Sequence, residues 1–243
     1  MQNRISKMTR FMVAAGVFCI LLFTGCALKD TATADQIVQA SLDAVGNKRD
    51  RNKIQNLVSF AECSSPNGKY STEIHTASGG YSYFRQVYSY KPAVFEAVIE
   101  NRTNGYSIAD PGKPLSAESV YTIRGHEFIN MVLETDRRFH NFGEKEKTRM
   151  GSIETFRLKA KDELNHDCFL FIDVKTGLLS AIHLQNPEET KEIIKIGFSG
   201  WKEVEKLLLP HQVTIDQGGK IYSFNFTRIM FNSPGFQIKR MRD

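Results

Sequence analysis

Ile37, Val38, Leu42 and Val45 recur at the spacing of one helical face, and Gly46 follows the last of them. That pattern predicts one amphipathic helix over ADQIVQASLDAV, stopped by a glycine. The charged stretch NKRDRNK comes next and reads as a solvated loop. From Ile54 the apolar residues fall at every second position, the period of half-buried strands. The runs IQNLVSFAEC, SSPNGKYSTEIHTA, YSYFRQVYSY, AVFEAVIEN and YSIAD are punctuated by Asn67-Gly68, Ser78-Gly79-Gly80, Lys91-Pro92 and Asn104-Gly105. Asn-Gly between alternating runs is a strong hairpin signal, so an antiparallel meander of five strands is expected.

Residues 110–151 break the alternation. Two prolines open the stretch, Ser116 is placed to cap a helix, and Phe128, Met131, Val132 and Thr135 share one helical side. One or two helices are expected, weakened at Gly125, packing on the sheet or covering its opening. After Gly151 the strands resume with SIETFRLKAK, DCFLFIDV, LLSAIHLQ, KEIIKIGFSGW, KLLLPHQVTID and KIYSFNFTRIMF, the last with Tyr222, Phe224 and Phe226 on one face. The fold class is mainly β (α+β), and an antiparallel sheet of about ten strands curls or closes rather than staying flat. A curved sheet or incomplete β-barrel is therefore expected, with an N-terminal helix and a helical lid on its concave side.

The start of the chain follows neither pattern. Arg4, Lys7 and Arg10 precede an apolar run from Phe11 to Phe23, which is shorter than the roughly 20 residues of a membrane-crossing helix. A basic start and a short apolar core read as a secretory signal. Phe23-Thr24-Gly25-Cys26 resembles a bacterial lipobox, with Phe23 where leucine is usual and Leu22 one place earlier. The resemblance implies cleavage between Gly25 and Cys26. It gives a lipoprotein signal peptide over 1–25, acylation of Cys26, a lipid-anchored tether over 26–33 and one domain over 34–243. The other reading is an uncleaved N-terminal anchor with an incidental cysteine.

Composition narrows the classes. Hydrophobic residues make up 41% and charged residues 24%, ordinary for a chain that builds a core. The formal charge of +5 takes three of its units from Arg4, Lys7 and Arg10, so the pI of 8.9 gives no argument for a nucleic-acid partner. Cys19 leaves with the signal, and Cys63 and Cys168 remain in an oxidising compartment, as a disulfide or as two buried thiols.

The search for chemistry finds little. His126-Glu127 lacks the second histidine of HExxH, because Asn130 stands there, and the other histidines are scattered. His166, Asp167 and Cys168 are adjacent, so a strand would point them to alternate faces. Neither a G-x-S-x-G motif nor a glycine-rich phosphate loop occurs. A catalytic group, a metal site or a cofactor is not expected, and the chain reads as a non-enzyme. Arg137 and Arg138 in ETDRRFH either meet anionic headgroups or sit at a helix end where cations suit the dipole. Phe95, Phe169, Phe171, Phe224 and Phe226 are candidates for an apolar pocket, or else plain core.

The order of elements carries a resemblance. The helix ending LDAVG, the meander ending ENRTNGY, the strand-turn-strand FIDVKTGLLSAI, the leucine-proline strand LLLPHQVTI and the closing NSPGFQI are similar to the LolA/LolB-like envelope lipoproteins, the family of outer-membrane lipoprotein-sorting proteins. The resemblance implies an apolar cavity that binds an acyl chain, a lipid or a lipoprotein without catalysis. It implies a place in the cell envelope, anchored to the membrane by the N-terminal lipid and facing the periplasm. Ala27 rather than aspartate after the lipidated cysteine points to the outer membrane. The alternative is an envelope interaction or sensor module, with a protein partner, a filled core and no lipid ligand.

Overall fold

The computed structural model describes residues 30–186, 189, 192–234 and 236–238. The signal segment, Gly25, Cys26 and the first residues of the tether lie outside the described residues. Helix α1 (Ala34–Val45) begins with a capping box: the Gln36 N–H donates to Thr33 Oγ1 at 3.3 Å and the Thr33 N–H to Gln36 Oε1 at 2.8 Å. Its buried stripe is Ile37, Val38, Ser41, Leu42 and Val45. Gly46 ends it as expected. A Cβ at Gly46 would stand 2.4 Å from Leu207 Cδ2, so only glycine lets the chain pass so close to that side chain. The charged stretch after it is not all loop. Asn47 Oδ1 accepts the Asp50 N–H at 2.9 Å and starts a single turn, α2 (Lys48–Arg51), which buries no residue and so leaves no apolar period to read.

Among the described residues the sheet holds thirteen antiparallel strands. The first group is β1 (Asn56–Ser65), β2 (Gly68–Ala77), β3 (Tyr81–Tyr88), β4 (Val94–Ile99), β5 (Gly105–Ser107) and β6 (Asp110–Pro114). Three helices follow: α3 (Ala117–Arg124), α4 (Phe128–Leu133) and α5 (Thr135–Arg138). The second group is β7 (Lys145–Met150), β8 (Ile153–Lys161), β9 (Asp167–Asp173), β10 (Leu179–Gln185), β11 (Ile193–Val204), β12 (Leu207–Gln217) and β13 (Lys220–Phe231). Each group is a meander, and β13 lies beside β1 from Leu57↔Phe231 to Ser64↔Ser223 to join them. A bulge interrupts that joint between Phe60 and Ala61, and Thr227 Oγ1 there donates to the Phe60 carbonyl at 3.3 Å. Bulges bend and twist a strand, which suits an open curved sheet.

The two strands beyond the expected set are the sheet's edges. β6 carries Pro111 and Pro114, and β7 carries Lys145, Glu146, Lys147 and Arg149. Prolines and charges are what protect an edge from further pairing, and they are also what removes the apolar alternation. Beside β7 the chain is held from Asp30 onward. Lys145 Nζ donates to the Asp30 carbonyl and, at 2.8 Å, to that of Ala32, while Lys147 Nζ lies 3.3 Å from Asp30 Oδ1.

The helices pack on the concave face. Phe128, Ile129, Met131, Val132 and Leu133 of α4 join α1, β1 and β8–β13 in the main core. Val120 and Ile123 of α3 pack on Ile74, Phe84, Ala97 and Ile99 of β2–β4. Tyr83 and Val98 alternate with these, so they face outward, where Phe236 covers them together with Tyr81 and Tyr106. Gly125 ends α3 instead of lying inside a longer helix.

The Cys63–Cys168 pairing is corrected. Cys63 is on β1 and Cys168 on β9, with β13, β12, β11 and β10 between them. Strands lie about 4.8 Å apart, so five such steps along the sheet far exceed the ~7 Å limit between bridged Cα atoms. Both are free, buried thiols, and burial pushes each pKa up to about 12.

Candidate functional site

A cavity of about 480 Å³ opens on the concave side, at the end of the sheet where β1 turns into β2 and β12 into β13. Its back is a cross-strand row set by register: Tyr88↔Tyr70↔Cys63↔Phe224 runs from β3 through β2 and β1 to β13. Tyr222 continues sideways through Ile215 to Ile196. Leu184 and Ile194 complete an aliphatic floor. Tyr121, Thr122, Gly125 and His126, from α3 and the turn after it, form the cover.

The aromatic wall is interlocked. The Tyr70 ring lies 5.9 Å from Tyr88 and meets Phe224 edge-on at 6.1 Å, and Tyr88 meets Tyr90 at 5.5 Å. Gly68 makes room for Tyr90, since a Cβ there would lie 2.8 Å from Tyr90 Cδ1. Burial raises the phenol pKa values of Tyr70 and Tyr88. Burial and a hydrogen bond to Asp162 do the same for Tyr121, so the wall is uncharged. Lys91 stands at the mouth, its ammonium 4.3 Å from the centre of the Tyr88 ring and 5.9 Å from that of Tyr90. Asn186 and Gln217 are held at the opposite lip by Glu192, which accepts from both side chains.

His126 is enclosed by rings, with Phe84, Phe128 and Phe224 at 5.1, 5.7 and 5.8 Å. Its Nδ1 lies 2.8 Å from the Thr122 carbonyl, which can only accept, so the proton is on Nδ1 and Nε2 is an acceptor. Desolvation holds its pKa below the ordinary histidine value, against the opposing pull of that hydrogen bond.

The cover is fastened on both sides. On one side is the apolar packing of α3 on β2–β4. On the other, Arg124 Nη2 lies 2.8 Å from Glu163, the Tyr121 hydroxyl donates to Asp162 at 2.7 Å, and Arg138 pairs with Glu127 and, at 3.5 Å, with Glu163. Glu127 is 4% exposed and Arg138 7%, so this is a buried ion pair rather than a headgroup patch.

Of the five phenylalanines singled out from the sequence, Phe224 lines the cavity. Phe226 lies further down the same face, 6.5 Å from Phe128, and Phe95 packs on Phe84 at 6.1 Å beside α3. Phe169 and Phe171 point to the other face of β9, because Cys168, Leu170 and Ile172 take the core side. Phe171 lies against His183 at 4.4 Å and Phe169 under Arg157 at 4.7 Å. In DCFLFIDV both alternating sets are apolar, so the period did not separate the faces. Sequence reasoning missed Tyr70, Tyr88, Tyr90, Lys91 and His126. Once β13 is placed beside β1, the same-face pair Tyr222 and Phe224 leads across the register to the tyrosines.

Among the described residues there is no group of His, Cys, Asp and Glu that could hold a metal, and no helix is long and apolar enough to cross a membrane. No protein-family model matches the chain, and no curated protein matches its sequence. Solved structures do match its shape. A LolA superfamily protein from Nitrosomonas europaea superposes with a TM-score of 0.57 at 8% identity, over 83% of this chain and 94% of that one. The fold is LolA-like. An outer membrane lipoprotein-sorting protein domain from Vibrio parahaemolyticus matches at TM-score 0.52 and 12% identity, over 82% of this chain and 95% of that one. A DUF1329 family protein from Desulfovibrio piger matches at 0.53 and 12%, with the same coverage. At these identities the LolA-like likeness is one of architecture, and the cavity is described by this chain's own residues.

Proposed function

We propose that this chain is a lipid-anchored envelope lipoprotein whose cavity binds an acyl chain, as part of a lipid or of another lipoprotein, without catalysis. The observation that carries the reading is the cavity of about 480 Å³ with an aliphatic and aromatic floor beneath a helical cover. Each methylene that leaves water for such a floor contributes about 0.8 kcal/mol, and opening of the cover would admit it. The lipoprotein-sorting description of the Vibrio parahaemolyticus domain supports the choice of ligand class. Anchoring rests on the lipobox-like Phe23-Thr24-Gly25-Cys26, with the domain following a short tether. Ala27 favours the outer membrane, with the domain in the periplasm. An open cavity counts against the alternative of a protein-binding module with a filled core.

The test is native mass spectrometry of a chain beginning at Ala27, exported to the periplasm. Every described residue is kept in it, including the α1 cap and the Asp30–Ala32 contacts with β7. A reproducible co-purifying mass that extracts into organic solvent is the expected result. A clean apo mass that stays unchanged after incubation with phospholipid, fatty acid and acylated peptide sinks the reading and moves it to a protein partner.

A further inference from the structure

The mouth and the floor of the cavity differ in kind. Lys91 carries a positive charge at the mouth, and among the described residues no carboxylate lies within ion-pair distance of it. Its ammonium rests on the face of Tyr88 instead. The amides of Asn186 and Gln217 stand across the opening. Beyond this polar ring Ile194, Ile196, Ile215 and Phe224 form the apolar part of the lining, which also holds Gln86 and His126. The volume limits what such a site can take. A methylene group is close in size to a water molecule, whose share of the liquid is ~30 Å³. About 480 Å³ therefore holds on the order of sixteen such groups. That is room for one long acyl chain.

We infer that the ligand is a single-chain amphiphile with an anionic head, its carboxylate or phosphate at Lys91 and its chain along the Phe224 floor. This rests on the acyl-chain reading above and narrows it. An anion at the mouth supplies the counter-charge that Lys91 lacks, and the hydrogen bonds it accepts are charge-assisted. The bulk of the binding energy comes from the chain, and the head fixes its direction.

The experiment measures Kd for four probes with the chain beginning at Ala27 and with its Lys91→Gln variant. The probes are palmitate, 1-palmitoyl lysophosphatidate, hexadecanol and dipalmitoyl phosphatidate. Lys91 is exposed, so the substitution leaves the core intact. Palmitate or lysophosphatidate is expected to bind one to one, about ten-fold more tightly than hexadecanol, and Lys91→Gln is expected to erase that difference while leaving hexadecanol unchanged. The tighter of the two anions identifies the head as carboxylate or phosphate. Equal binding of hexadecanol, or a variant that weakens all probes alike or none, overturns the head assignment and leaves the acyl-chain reading standing. Binding of dipalmitoyl phosphatidate as tight as that of the single-chain anions overturns the limit of one chain. If no probe binds but a triacylated peptide does, the inference falls alone. If nothing binds, it falls together with the acyl-chain reading.

Discussion

Cys63 lies in the row at the back of the cavity, hydrogen-bonded through its sulfur to Thr72 at 3.5 Å, and Cys168 lies on the core side of β9. With pKa values of about 12, each is thiolate to only about one part in ten thousand near pH 8. A thiol reagent is thus expected to leave the folded chain beginning at Ala27 unlabelled and to modify two groups once it is unfolded. Fast labelling in the folded state, or none after unfolding without reductant, contradicts this. The histidines set a second test. Burial lowers the pKa of His126, and burial with the charges of Lys195 and Arg157 lowers that of His183. A depressed folded-state pKa means that the unfolded chain binds more protons as pH falls through ~6.5. Both groups therefore contribute stability at neutral pH that is lost towards acid. The melting temperature is expected to fall between about pH 7.5 and about pH 5, and less steeply in His126→Gln. An identical pH slope in that variant would rule out His126 as a source. Neither histidine could be assigned from its neighbours in sequence, because the rings of Phe84 and Phe224 around His126 and of Phe171 against His183 come from separate strands.

At the scale of elements, the segment from Ser116 to Phe139 is where sequence and structure part most. The Ser116 cap and the buried side of Phe128, Met131, Val132 and Thr135 were legible, since a cap and a helical period are local signals. The division into α3, α4 and α5 was not, because Gly125 and Glu134 can each continue or end a helix depending on what packs against them. The role of Arg138 was hidden for the same reason, as its partners Glu127 and Glu163 come from the turn that leads into α4 and from the turn after β8. Glu127 is the nearest of three carboxylates around Arg138, with Glu163 at 3.5 Å and Glu134 at 3.7 Å, so Glu127→Gln falls short of the roughly 3–5 kcal/mol of a fully stranded buried charge. It is expected to cost about 1–3 kcal/mol, read as a lowered urea midpoint. Glu146→Gln, which breaks the exposed pair with Arg157, is expected to cost about 0–1 kcal/mol. Equal effects of the two would show that the cover is not held by this cluster.

For the whole molecule, the curved antiparallel sheet with its lid followed from hairpin signals and strand count, because each turn is encoded by two or three residues such as Asn67-Gly68 or Ser78-Gly79-Gly80. The joint between β1 and β13 leaves no such mark, as its strands come from opposite ends of the domain. That joint carries the row of Tyr88, Tyr70 and Cys63 across to Phe224, so the position of the cavity could not be read before the strands were paired. The clamp of Lys145 and Lys147 on Asp30 and Ala32 has one more effect. With Cys26 bearing the lipid as proposed, only four residue steps separate the bilayer from the edge of the sheet, a reach of at most ~14 Å. With that anchor, a leash so short would moor the β7 flank against the lipid surface and would leave the cavity no freedom to ferry cargo away from it. The protein would work as a fixed berth, taking what is brought to its own membrane.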